Sequence, residues 1–112
     1  MSVSITKRDG QVVAGISREF TTENRKELKQ KVLDELGRGE RAFTIDFGQT
    51  AYVDSAALGV LVSLSKKIRE GGGALRLANL STELRALLAV TRLDTIFQIG
   101  DDGNESARPG SP

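Results

Sequence analysis

The chain contains no cysteine and no histidine. Without cysteine there is no disulfide framework, no thiol nucleophile and no thiolate metal site, which fits a reducing compartment. Without histidine, the commonest general base and the commonest metal ligand are both missing. Catalysis would have to rest on carboxylates, lysines, Tyr52 or hydroxyls. No pair of carboxylates stands at a spacing and in a setting that would drive two pKa values apart. Asp101-Asp102 beside Gly103 is a candidate for a hard cation, but adjacent carboxylates in a polar tail are usually just solvated. The expectation is a protein that is not an enzyme and carries neither cofactor nor metal.

Charge of one sign is lacking too. Sixteen basic residues stand against fifteen acidic ones, a net charge of +1, and the two kinds are interspersed. This argues against a direct nucleic-acid surface. Long apolar runs are also absent: the longest, Ala56 to Val62, is far too short to span a bilayer, and Met1 to Lys7 holds no apolar core of a signal peptide. A cytoplasmic location without membrane insertion is expected. The glycine triplet Gly71-Gly72-Gly73 has neither phosphate-loop pattern, and it follows a helix instead of opening one. It reads as a helix stop, and a nucleotide-hydrolysing module has no support.

What is present suffices for one domain. The 112 residues are 38% hydrophobic and 28% charged, enough for a single core. Val3 and Ile5, then Val12, Ala14 and Ile16, alternate with polar residues around Asp9-Gly10, the pattern of a β-hairpin. Thr21-Thr22-Glu23 is expected to open a helix with Leu28, Val32, Leu33 and Leu36 on its apolar face. Arg25, Lys26, Lys29, Gln30 and Glu35 cover the rest, and Gly37 and Gly39 close it. A strand runs from about Ala42 to Phe47, and a second helix from about Ser55 to Glu70. Ala57, Leu61, Leu64 and Ile68 form that helix's buried stripe. Leu58, Val60 and Val62 either widen the stripe or, for Leu58 or Val60, stay exposed as part of a docking surface. A strand at Ala74 to Ala78 follows, then a short helix capped by Ser81 with Leu84, Leu87 and Leu88 inward, and a last strand at Ile96 to Ile99. The implied fold is α/β: an N-terminal β-hairpin, then alternating helices and strands in a mixed sheet, over residues 1–100. Residues 101–112 form a polar tail expected to be mobile.

The junction Val53-Asp54-Ser55-Ala56-Ala57-Leu58-Gly59 places a hydroxyl where a strand gives way to a helix. Ser55 reads as the N-cap. The same atoms suit a second role, because a phosphate on Ser55 would meet the positive end of the helix dipole. Topology favours this corner, since ligands and partners prefer the carboxyl ends of parallel strands. Thr50, Ser63 and Ser65 are the other candidate hydroxyls, the latter two deeper in the helix.

From Val3 to Ile99 the chain resembles the STAS domain of bacterial anti-sigma factor antagonists. The order of elements, Ile45-Asp46-Phe47, Asp54-Ser55 with Leu58-Gly59, and Glu19 to Leu28 carry the resemblance. The family's motif is usually Asp-Ser-Ser/Thr-Gly-Leu-Gly. Here Ala56 replaces the second hydroxyl and Ala57 the glycine, which makes the first turn more helix-prone. The resemblance implies a single STAS domain whose Ser55 is phosphorylated with ATP by an anti-sigma factor serine kinase. It implies partner contacts at Asp54, Ser55, Ala56, Leu58 and Gly59, and at Thr21, which ends the Arg18-Glu19-Phe20-Thr21 run where the family has Gly-Glu-apolar-Asp. It further implies a serine phosphatase for reset and a monomeric free form. A second reading keeps the fold without the switch: a constitutive STAS scaffold, or a cytoplasmic accessory subunit of a stress-sensing complex or an ABC-type transporter.

Overall fold

A computed structural model describes residues 3–100. The hairpin forms as its alternation requires: β1 (Val3–Arg8) and β2 (Gln11–Ile16) pair antiparallel with Arg8 opposite Gln11. The turn needs positive φ at both central residues, and Asp9 at 52° and Gly10 at 81° supply it. The remaining order is β3 (Glu19–Phe20), α1 (Arg25–Gly37), β4 (Ala42–Asp46), β5 (Tyr52–Val53), α2 (Ser55–Glu70), β6 (Ala74–Ala78) and α3 (Thr82–Val90). A 3-10 turn (Leu93–Thr95) and β7 (Gln98–Gly100) follow. The main sheet has the order β1-β2-β4-β6-β7, parallel from β2 onward, and β3 pairs with β5 in a small parallel ribbon.

Strand alternation sends Val12, Ala14, Ile16, Phe43, Ile45, Leu75 and Leu77 to one face of the sheet, all buried. Leu28 and Val32 of α1 and the stripe Ala57, Leu61, Leu64 and Ile68 of α2 complete that core. Each Val, Leu, Ile or Phe side chain among them contributes about 1.5–3 kcal/mol through burial. Gly73 is fixed by close approach: a β-carbon there would collide with the Arg41 carbonyl oxygen.

Five local expectations change. Thr21 to Asn24 form a turn before α1, because the Asn24 side chain accepts from Thr21 N–H at 2.9 Å and donates to the Glu19 carbonyl at 2.7 Å; the helix starts only at Arg25. At its other end α1 runs through Gly37 to an Arg38 cap, and Gly39 takes the left-handed φ of 102° one residue later. Glu35 is not on the solvated face. It is 8% exposed, bound by Lys7 Nζ at 3.1 Å and Arg38 Nη1 at 2.6 Å, so it ties α1 to β1. The Glu35 carboxylate, foremost, holds the Lys7 ammonium above its ordinary pKa. Leu87 stays exposed while Leu84 and Leu88 turn inward, and the last strand begins at Gln98 because the chain is still turning at Ile96, with Phe97 buried. The polar tail predicted at 101–112, Asp101-Asp102 included, lies outside the described residues.

Candidate functional site

The carboxyl end of β4 leads into a loop that is stitched to the segment after β2. Asp46 Oδ1 accepts from Gly48 N–H at 2.8 Å and from Asn79 Nδ2 at 2.9 Å. The Thr50 hydroxyl is buried and donates to the Ser17 carbonyl at 3.0 Å, so it holds the loop and is not presented to a partner. Ala51 and Tyr52 N–H groups both donate to the Arg18 carbonyl, at 2.7 and 3.2 Å. Beneath this ribbon the Phe20 and Phe47 rings pack with centroids 6.2 Å apart. The start of α2 is therefore delivered by a braced platform.

The capping assignment differs from the sequence expectation. Asp54, not Ser55, is the N-cap: its backbone is extended (φ −95°, ψ 170°) and its Oδ1 accepts from Ala57 N–H at 2.8 Å. Two cap-competent residues stand in tandem, and a carboxylate gains more than a hydroxyl from the helix dipole. Oδ2 accepts from Thr22 N–H at 3.1 Å, with the Thr22 hydroxyl at 3.5 Å, while Asp54 N–H donates to the Phe20 carbonyl at 3.1 Å. The Ala57 N–H foremost, with Thr22 and the nearby Arg25, holds the Asp54 carboxyl below its ordinary pKa against the opposing cost of desolvation. Asp54 is thus an anion at neutral pH.

Ser55 becomes the first residue of α2 and is exposed. Ala56 is half-buried and Gly59 is exposed one turn on. Leu58 lies beneath them, 7% exposed and part of the core, and Val60 and Val62 pack partly against that core. Thr21 is brought to the same corner through its neighbour Thr22, and its hydroxyl accepts from Glu23 N–H at 3.2 Å. Ser65 is buried and accepts from Arg69, and Ser63 is half-buried, so neither is as open as Ser55. The Asp54–Thr22 link escaped sequence reading because it spans 32 residues and no local pattern records it.

No group of three or more metal-ligating side chains is found among the described residues. No helix among them is long and apolar enough to cross a membrane. The site offers the exposed Ser55 hydroxyl, one fixed carboxylate and a braced helix end. That arrangement suits recognition or modification by another protein.

Comparison with known proteins agrees with this layout. The family model described as "Mlab, STAS domain" matches residues 3–99. The "Putative anti-sigma factor antagonist BtrV" of Bordetella bronchiseptica is 25% identical over 107 residues, covering 96% of this chain and 92% of that protein. The "Anti-sigma-B factor antagonist" of Bacillus subtilis is 28% identical over 99 residues, with 88% and 90% coverage. The crystal structure of a "putative anti-sigma factor antagonist" from Thermotoga maritima superposes with a TM-score of 0.83 at 28% identity, covering 96% of this chain and 92% of that one.

Proposed function

As the chain belongs to the STAS-domain family that includes the anti-sigma factor antagonists, we propose that it is an anti-sigma factor antagonist switched by phosphorylation of Ser55. The observation that carries this reading is the division of labour at the start of α2. Asp54 caps the helix, which leaves the exposed Ser55 hydroxyl without structural duty.

Unmodified, the surface formed by Thr21, Asp54, Ser55, Ala56 and Gly59, with Leu58 supporting it from below, docks on an ATP-binding anti-sigma factor kinase and frees a sigma factor. In the switching step Ser55 Oγ bonds to the γ-phosphorus as the β,γ P–O bond of ATP breaks. ADP leaves, and the hydroxyl proton passes to a base on the kinase. The phosphate adds about 1.5–2 negative charges beside the ionised Asp54. The helix end tolerates an anion, so the domain keeps its shape. The interface does not, because two neighbouring anions must be desolvated together on docking. A serine phosphatase then restores the free hydroxyl.

The test is a pull-down from native cytoplasm with wild-type and Ser55→Asp chains as bait, with ATP or ADP added. Mass spectrometry reads both the captured proteins and the phosphate on Ser55. Capture of an ATP-binding kinase by wild type alone, with ATP placing phosphate on Ser55, supports the switch. Equal capture of a scaffold or transporter subunit by both baits, with Ser55 unmodified, replaces it with the constitutive reading.

A further inference from the structure

An apolar groove lies next to Ser55 and has no part in the switch as described. Tyr52 and Val53 of β5 form one wall, and Ser81, Glu83, Leu84 and Leu87 at the start of α3 form the other. Tyr52, the sole tyrosine, is 57% exposed and Leu87 37% exposed, although both are large and apolar. The cavity measures about 170 Å³. Small-molecule sites usually enclose about 300–1,000 Å³, so this one is too small for a cofactor and sized for a single side chain.

We propose that the groove receives one apolar side chain of the same protein that docks over Ser55. This rests on the function proposed above. Two observations select that occupant. Tyr52 and Val53 run directly into Asp54 and Ser55, and backbone hydrogen bonds to Arg18 and Phe20 hold both stretches, so the groove wall leads without a break into the proposed docking surface. The exposed Glu83 on the rim adds a negative charge, which fits a partner carrying a lysine or arginine beside its apolar anchor. Buried aromatic and aliphatic anchors of this kind dominate the affinity of protein interfaces.

The experiment uses the ATP-binding partner purified after the pull-down and measures its affinity by calorimetry for wild type, Tyr52→Ala, Leu87→Ala and Val90→Ala. Val90 is 81% exposed on α3 but does not line the groove, so it serves as the control. Tyr52→Ala and Leu87→Ala are expected to lose about tenfold each, with Val90→Ala within about twofold of wild type. A photoreactive phenylalanine analogue placed at position 87, and another at position 59, should each cross-link to this partner, a readout that does not depend on truncating the groove. Affinities unchanged by Tyr52→Ala and Leu87→Ala, while Ser55→Asp still weakens binding strongly, would overturn the groove and leave the switch standing. An equal loss in Val90→Ala overturns it in favour of a diffuse α3 contact. A dimer of wild type that Leu87→Ala disperses in sedimentation gives the groove to a second copy of this chain instead. If no partner phosphorylates Ser55, the functional reading fails first and the groove loses its occupant with it.

Discussion

Two helices of this domain begin with the same hydrogen bond and leave their serines in opposite states. At α2, Asp54 in extended backbone accepts from Ala57 N–H at 2.8 Å; at α3, Ser81 in extended backbone accepts from Leu84 N–H at 3.0 Å. Ser81 does the capping itself and its oxygen is engaged. Ser55 sits one position later, after the capping is done, and is exposed. A serine at a helix start is therefore available for chemistry only when a neighbour has taken over the cap. The cap at α2 does more than its counterpart, because the second oxygen of Asp54 also holds the Thr22 turn, whereas Ser81 has a single acceptor atom to offer.

The sharpest way to break this contrast is to charge the free serine. Ser55→Asp should lower partner affinity by about 100-fold, since a second carboxylate beside Asp54 must be desolvated in the interface. Its melting temperature should stay within about 2 °C of wild type, because surface substitutions away from structural contacts are usually small. Ser55→Ala should bind like wild type and no longer release the partner when ATP is added. Calorimetry of the three proteins against the purified partner, with and without ATP, reads both effects. Wild-type affinity in the Asp variant would mean that the exposed hydroxyl is not at the interface.

The next effect is on stability and runs the other way. Ser81→Ala removes a working cap and should cost about 1 kcal/mol, a loss of about 4–8 °C in melting temperature. Ser55→Ala should cost less than about 0.5 kcal/mol. Asp54→Ala should melt below Ser55→Ala as well, since it loses both the cap and the Thr22 link. Thermal denaturation of the three variants tests the ranking. Equal losses for Ser55→Ala and Ser81→Ala would return the capping role to Ser55.

How much of this was legible in the sequence depended on the range of the interaction. The bounds and buried stripe of α2 followed from periodicity, and the hairpin from alternation around Asp9-Gly10. Ser81 is legible as a cap because no rival acceptor precedes it directly. Asp54-Ser55 offered two acceptors in tandem, and local pattern could not say which the backbone would choose. The β3–β5 ribbon was invisible, since strands of two residues carry no alternation, and only its long-range pairing makes it a strand. Glu35 and Leu87 misled for a shared reason: residue type suggested a face, whereas tertiary partners decided it. Glu35 found Lys7 and Arg38 and went inside; Leu87 faced a groove and stayed out.

The smallest predicted effect isolates charge from cap geometry. Asp54 has a folded-state pKa below its ordinary value of 3.8, so the unfolded chain binds its proton more readily. Stability must then rise with pH across that window. The contribution is complete above the unfolded value, near pH 4, and is lost as pH falls through the lower folded value. Asn keeps one acceptor for the Ala57 N–H but turns an NH2 donor toward the Thr22 N–H, so Asp54→Asn should keep the α2 cap at neutral pH while losing the Thr22 link, a pH-independent loss, and this part of the acid dependence. Ser81 is neutral throughout, and Ser81→Ala should lower the whole melting curve without changing its slope between pH 5 and about pH 2. Melting temperatures of wild type, Asp54→Asn and Ser81→Ala across that range test the pair. A slope equally steep in Asp54→Asn would assign the acid sensitivity to other carboxylates and reduce Asp54 to a cap whose charge is incidental.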